Sequence, residues 1–254
     1  MMLKKASFFL FIALIIIVIA GEKNLKNVQY SQQAAFLPEI ETVQAQPVSF
    51  SEKLATGLPV TIVFLGDYVT SADSLPDGNP NHVLLLTEWF NDQYPNQVTT
   101  INAGMNANTI SHMKERIESD VLTYTPDLVV ISTGLNDALG AWKISVDEYD
   151  KDYQAVIDEI LATGRSEVLI RTPNPTNSVE KNKTMRPYMR VSRELAKRDN
   201  VYVFDFYNVM ATDIHAKDIS QVAFMQNTFY PNTKGQAYLF DKFKTYLTTE
   251  FIQP

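Results

Sequence analysis

Three short blocks of the 254-residue chain carry donors and side chains suited to acyl chemistry. Gly66-Asp67-Tyr68 closes the apolar run "PVTIVFLG", Asn102-Ala103-Gly104 closes "QVTTINAG", and Gly134-Leu135-Asn136-Asp137 follows "DLVVISTG". A glycine after a strand permits a tight turn and leaves a backbone N–H exposed. An asparagine at a neighbouring strand end adds an amide donor. Such donors converging on one point form an oxyanion hole, which stabilises the charge developing on an acyl carbonyl under attack. Each residue alone is an ordinary turn former; recurrence at three successive strand ends favours a shared site.

The elements that must position these blocks alternate regularly. "PVTIVFLG", "QVTTINAG", "DLVVISTG", "EVLIRTP" and "VYVFDF" read as five strands. "NHVLLLTEWFNDQYP", "TISHMKERIESDVLTYTP", "VDEYDKDYQAVIDEILATG", "PYMRVSRELAKRD" and "KGQAYLFDKFKTYLTTEF" read as helices, the second with Ile110, Met113, Ile117 and Val121 on one face. This alternation predicts an α/β, three-layer, doubly wound (flavodoxin-like) parallel five-stranded sheet. Its functional crevice lies beyond the carboxyl ends of the strands, where the blocks and Pro173 fall. Trp89-Phe90 and Phe204-Asp205-Phe206 take core or strand positions. Trp142 stands just past the third block, placed for packing or for ligand contact. "SVEKNKTMRP", Ser178 to Pro187, reads as a polar loop, either a pocket rim or a plain solvated loop.

Composition narrows the function. Apolar residues make up 45% and charged residues 20%, with a formal charge of −7, against nucleic-acid binding. With no cysteine, disulfides, thiolate metal sites and a Cys nucleophile are excluded. No phosphate loop, dinucleotide fingerprint, zinc or Ca²⁺ spacing is present, so neither cofactor nor metal is expected. Lys4 and Lys5 precede an uncharged apolar run from Ala6 to Gly21, the layout of an export signal, either cleaved after Ala20 or kept as an anchor. Both outcomes place the remainder outside the cytoplasmic membrane. The predicted organisation is a signal or anchor over 1–21, a polar stalk over 22–58 with at most one short helix or edge strand, and a domain over 59–254.

Residues 60 to 247 resemble the SGNH, or GDSL, hydrolase family, named for a Ser, Gly, Asn and His in four separated blocks. Gly66-Asp67-Tyr68 stands at the family's Gly-Asp-Ser, Asn102-Ala103-Gly104 at Asn-x-Gly, and Gly134-Leu135-Asn136-Asp137 matches Gly-x-Asn-Asp in full. The last block, Asp-x-x-His-Pro-Asn-x-x-Gly, is met by Asn227, Tyr230, Pro231, Asn232 and Gly235. The resemblance implies an esterase fold with an oxyanion hole from the N–H of Tyr68, the N–H of Gly104 and the Asn136 amide. It also implies that nucleophile, orienting acid and base are replaced by Tyr68, Asn227 and Tyr230.

A phenol of pKa about 10 is a poor base at neutral pH, and an amide cannot stabilise an imidazolium. The expectation is a degenerate esterase that binds a cell-envelope glycan, an acyl-ester ligand or a partner, and meets the membrane through its N-terminal segment. The alternative is an active acyl-ester hydrolase or carbohydrate O-acetyl esterase with a rewired site. For that, Ser71 is the candidate displaced nucleophile. His215, near Asp213 and Asp218, is the candidate base or metal ligand. His82 and His112 read as surface or helix-start residues, and Asp67 as a structural acceptor of backbone hydrogen bonds.

Overall fold

The computed structural model describes residues 48–75 and 78–252. The predicted export segment and most of the predicted stalk, residues 1–47, lie outside the described residues. Among the described residues no helix is long and apolar enough to cross a membrane.

In chain order, α1 (Phe50–Ala55) leads into β1 (Val60–Gly66), α2 (His82–Gln93), β2 (Val98–Gly104), α3 (Ile110–Glu115) and α4 (Ile117–Asp120). Then follow β3 (Leu128–Ser132), α5 (Leu135–Leu139), α6 (Val146–Leu161) and β4 (Glu167–Arg171). The chain ends with α7 (Val179–Leu195), β5 (Val201–Phe204), α8 (Phe206–Lys217) and α9 (Thr233–Tyr246). The strands make one parallel sheet in the order β2-β1-β3-β4-β5, the predicted doubly wound arrangement. Every residue of β3 and β4 is buried, as helices on both faces require. Gly66 stands in register with Gly104 on one side and Ser132 on the other. From β1 the chain moves outward to β2, and from β3 outward to β4. The carboxyl ends of β1 and β3 therefore open a crevice at this switch point.

The structure departs from the sequence reading in four places. Residues 48–58, read as the end of the stalk, belong to the domain. Ser49 caps α1, Phe50 and Leu54 are buried, and the Phe50 ring lies 5.9 Å from that of Phe251. Lys53 pairs with buried Asp127 at 2.6 Å. The single helix read over 109–126 breaks at Arg116, whose guanidinium bonds Asn108 Oδ1 (2.8 Å) and the Gly66 carbonyl (3.2 Å). Its apolar face holds nonetheless, since Ile110, Met113, Ile117 and Val121 are all buried. The stretch Ser178 to Pro187 is helical rather than a loop: Ser178 caps α7, which carries Pro187 inside it. Finally, Asp205 ends the fifth strand and caps α8, which the sequence reading did not include. Phe90, Phe204 and Phe206 are buried as expected, while Trp89 packs against the core partly buried.

Candidate functional site

The turn after β1 is built on Asp67. Its Oδ1 accepts the Val69 N–H (3.0 Å), and its carbonyl accepts the N–H groups of Thr70 (3.1 Å) and Ser71 (3.0 Å). Burial raises its pKa to about 6, against the opposing pull of the Arg171 guanidinium. The end of β2 presses backbone to backbone on this turn. A Cβ on Gly104 would sit 2.4 Å from Ser71 N, so only glycine fits. Asn102 fastens the contact, donating from Nδ2 to the Thr70 carbonyl (2.9 Å) and accepting the Gly104 N–H (2.9 Å). The predicted oxyanion donor of Gly104 is thus engaged within the protein. Ser71 is buried, with its Oγ accepting the Asp73 N–H (3.3 Å) at the start of a short 3-10 turn.

Beyond β3, Gly134 adopts φ +111, a conformation that L side chains rarely take. This turns the chain into α5 over fully buried Asp137. That carboxylate accepts the Ile110 N–H (2.7 Å), the Thr133 hydroxyl (2.8 Å) and the Gly134 N–H (2.8 Å). Burial still raises its pKa, outweighing these donors. Asn136 donates from Nδ2 to the Asn108 carbonyl (3.1 Å).

In the last block Asn227 Oδ1 accepts the N–H groups of Phe229 (2.8 Å) and Tyr230 (2.9 Å). This Asx turn carries Tyr230 to the crevice, where its ring meets that of Tyr68 at 4.5 Å and 53°. Burial raises the Tyr230 pKa, with Asp67 and Tyr68 adding to it. Pro231 pairs with Met225, and Asn232 caps α9 by accepting the Gly235 N–H (3.0 Å). Beside the tyrosines lies a cavity of about 230 Å³ lined by Leu135, Asn136, Leu139, Gly140, Ala141, Phe229 and Tyr230.

The structure thus brings Tyr68, Tyr230 and Asn136 to one crevice. The candidate rewired base, His215, is exposed on α8. Its neighbour Asp213 is committed to Lys242 (2.8 Å), Lys217 (3.0 Å) and the Tyr238 hydroxyl (2.8 Å), which hold its pKa well below the usual carboxylate range. His112 closes the turn at the start of α3, its Nδ1 accepting the Thr109 N–H (3.2 Å). Trp142 is 66% exposed and edges onto the His112 ring at 6.4 Å.

His82 is at a helix start but is buried, which corrects the surface reading. Its Nδ1 lies 2.8 Å from Gln236 Oε1, and Gln236 Nε2 donates to the Val69 carbonyl (3.0 Å). Burial and the Arg171 charge lower its pKa from 6.5 to about 3. The unfolded imidazole is protonated below pH 6.5 and the folded one only near 3, so stability falls across that window by about 1–2 kcal/mol per pH unit. Asp67 opposes this: the folded carboxyl takes up its proton near pH 6 and the unfolded one near 3.8, which restores stability on acidification. Between about pH 6 and 4 the two slopes nearly cancel, so His82→Gln, which leaves the Asp67 gain unopposed, should make stability rise on acidification relative to the natural chain in urea titrations. A variant whose stability tracks that of the natural chain across this window would refute this account.

The sequence reading passed over Arg171, which is fully buried and bonds Ser132 Oγ through Nε at 2.7 Å. Burial lowers its pKa to about 10. The available signal was a lone arginine ending a strand expected to be covered on both faces. Buried Tyr149 and Tyr153, packed ring to ring at 5.4 Å, were passed over because they read as one side of α6.

Comparison with known proteins agrees with this architecture. The chain is 25% identical over 214 residues to an acetylxylan esterase of Geobacillus stearothermophilus, covering 76% of this chain and 95% of that one. A solved acetyl xylan esterase, AlAXEase, superposes with a TM-score of 0.66 at 25% identity, covering 74% of this chain and all (100%) of its own. A lipase/acylhydrolase from Enterococcus faecalis superposes at 0.62 and 25% identity, covering 74% of this chain and 95% of that one. The model of the GDSL-like lipase/acylhydrolase family matches residues 64–238, from the middle of β1 into α9, and so takes in the crevice and all four blocks. With that span and this sheet, the chain belongs to the GDSL-like lipase/acylhydrolase family.

Proposed function

We propose that this chain is a catalytically silent, extracytoplasmic member of the family that uses the ester crevice to bind a cell-envelope glycan. The observation carrying this reading is the contact of Tyr68 with Tyr230, rings 4.5 Å apart, at the positions the resemblance assigns to nucleophile and base. Burial keeps the Tyr230 phenol protonated at neutral pH, so it accepts no proton from a nucleophile. Asn227 offers an amide where the orienting charge belongs, and the Gly104 N–H is held by Asn102. Two ring faces beside an Asn amide instead suit a sugar, whose C–H face packs on aromatics while its hydroxyls seek polar partners. The relatives named for acetylated xylan support a carbohydrate ligand. The charged-then-apolar N-terminus supports the location.

The test is hydrolysis of p-nitrophenyl acetate and acetylated xylo-oligosaccharides by the full chain, alongside calorimetric titration with xylo-oligosaccharides. No turnover above the uncatalysed rate is expected, and Tyr68→Ala should weaken binding about three- to ten-fold. Turnover by the natural chain, abolished by Ser71→Ala or His215→Ala, would overturn the reading in favour of a relocated triad.

A further inference from the structure

The crevice continues past the tyrosines. Leu139 and Gly140 line both the 230 Å³ cavity and a second one of about 360 Å³, whose other walls are Ala138, Lys143, Glu180, Lys181 and Thr184. A series of contacts links residues lining the first cavity to Lys181 of the second. Tyr68 meets Tyr230 at 4.5 Å, Tyr230 meets Phe229 at 6.0 Å, and Lys181 Nζ lies over the Phe229 ring at 4.8 Å. The ammonium is therefore held at the end of an aromatic ladder, in position, by the ring it covers.

The charge in this second cavity is unbalanced. Neither Lys181 nor Lys143 is in an ion pair among the described residues, whereas the one carboxylate of the wall, Glu180, is paired with Lys183 at 2.9 Å. The wall thus carries two lysines against one carboxylate, a net positive charge in a chain of net charge −7. Positive charge concentrated in a cleft of an otherwise acidic protein raises the local concentration of anions there.

We infer that the crevice binds an acidic glycan. One sugar ring lies against Tyr68 and Tyr230, and a carboxylate or phosphate on a neighbouring sugar is received by Lys181 and Lys143. This rests on the glycan-binding reading above and adds the charge of the ligand. The N-terminal turns of α7, which carry Lys181, contribute partial positive charge.

The experiment is calorimetric titration of the full chain, at low salt, with two matched pairs. These are glucuronate-substituted xylotetraose against xylotetraose, and phosphorylated mannotriose against mannotriose. At least one acidic member should bind about ten-fold tighter than its neutral partner, and which one does so identifies the anion. The double variant Lys143→Met, Lys181→Met, shown by its melting curve to be folded, should lose that preference and keep neutral-sugar binding. Tyr230→Ala should weaken both members of the pair. Equal binding of acidic and neutral members overturns the inference and leaves the glycan reading standing. An acidic preference that survives in the double variant also overturns it, since the anion then binds elsewhere. Absence of binding by every oligosaccharide removes both.

Discussion

On the proposed reading, the triple reversion Tyr68→Ser, Asn227→Asp, Tyr230→His is expected to raise kcat/KM for p-nitrophenyl acetate by about 10³-fold or more over the natural chain. The scaffold for it is in place. Asn227 Oδ1 already accepts the Tyr230 N–H at 2.9 Å, so a carboxylate there would stand at the base of the turn that carries a histidine. The turn holding residue 68 is fixed independently, by the Asp67 carboxyl on the Val69 N–H. The two side chains already touch, with ring centroids 4.5 Å apart. Shortening the first to a hydroxyl also vacates the space that an acyl carbonyl would need. Single reversions should gain almost nothing, because triad members act as a unit. Initial-rate measurements on the natural, single and triple forms decide it. A triple variant that is folded yet inert would mean that these three side chains do not suffice for hydrolysis in this crevice, and the Gly104 N–H held by Asn102 would be the first suspect.

Asp137→Ala is expected to cost about 3–5 kcal/mol of stability, because three buried donors lose their only acceptor at once. These are the Ile110 N–H, the Thr133 hydroxyl and the Gly134 N–H, each within 2.8 Å of the carboxylate. They tie the starts of α3 and α5 to the end of β3, so the loss loosens the shelf that holds Asn136. For a domain of this size the melting temperature should drop by roughly 6–20 °C. Asp147→Ala, an exposed change in the first turn of α6, should stay within about 0.5 kcal/mol. Thermal melts of the two variants side by side settle the matter. An Asp137→Ala protein melting with the natural chain would remove Asp137 from its supporting role.

Much of the crevice was legible because short-range patterns encode it. The run "DLVVISTG" announces a strand covered on both faces, and the glycine at its end announces a turn. The structure puts that glycine at φ +111 and Asp137 beneath it. Asp67 was legible as a structural acceptor for the same reason, since its partner Val69 is two residues away. The errors fall where a distant partner overrides local preference. Periodicity carried one helix through 109–126, but Arg116 reaches the Gly66 carbonyl, 50 positions back, and the helix breaks there. Ser178 to Pro187 is polar and contains a proline, yet its buried side, including Met185, draws it onto the core as helix.

By itself, then, the sequence determined the alternation of strands and helices, the parallel sheet, and the gathering of the three strand-end blocks at its carboxyl edge. Each follows from residue periods and turn chemistry acting over a few positions. Only the tertiary structure decided which side chains lost their water. It seals His82 under Gln236, 154 residues away. It sets Arg171 beneath the crevice, where Asp67 feels its charge, and draws α1 into the core against Phe251. It also presses Tyr68 on Tyr230 and ends their ladder at Lys181. Desolvation and contact between distant residues depend on which faces meet when all the layers pack together, and that is a property of the assembled fold rather than of any stretch of chain.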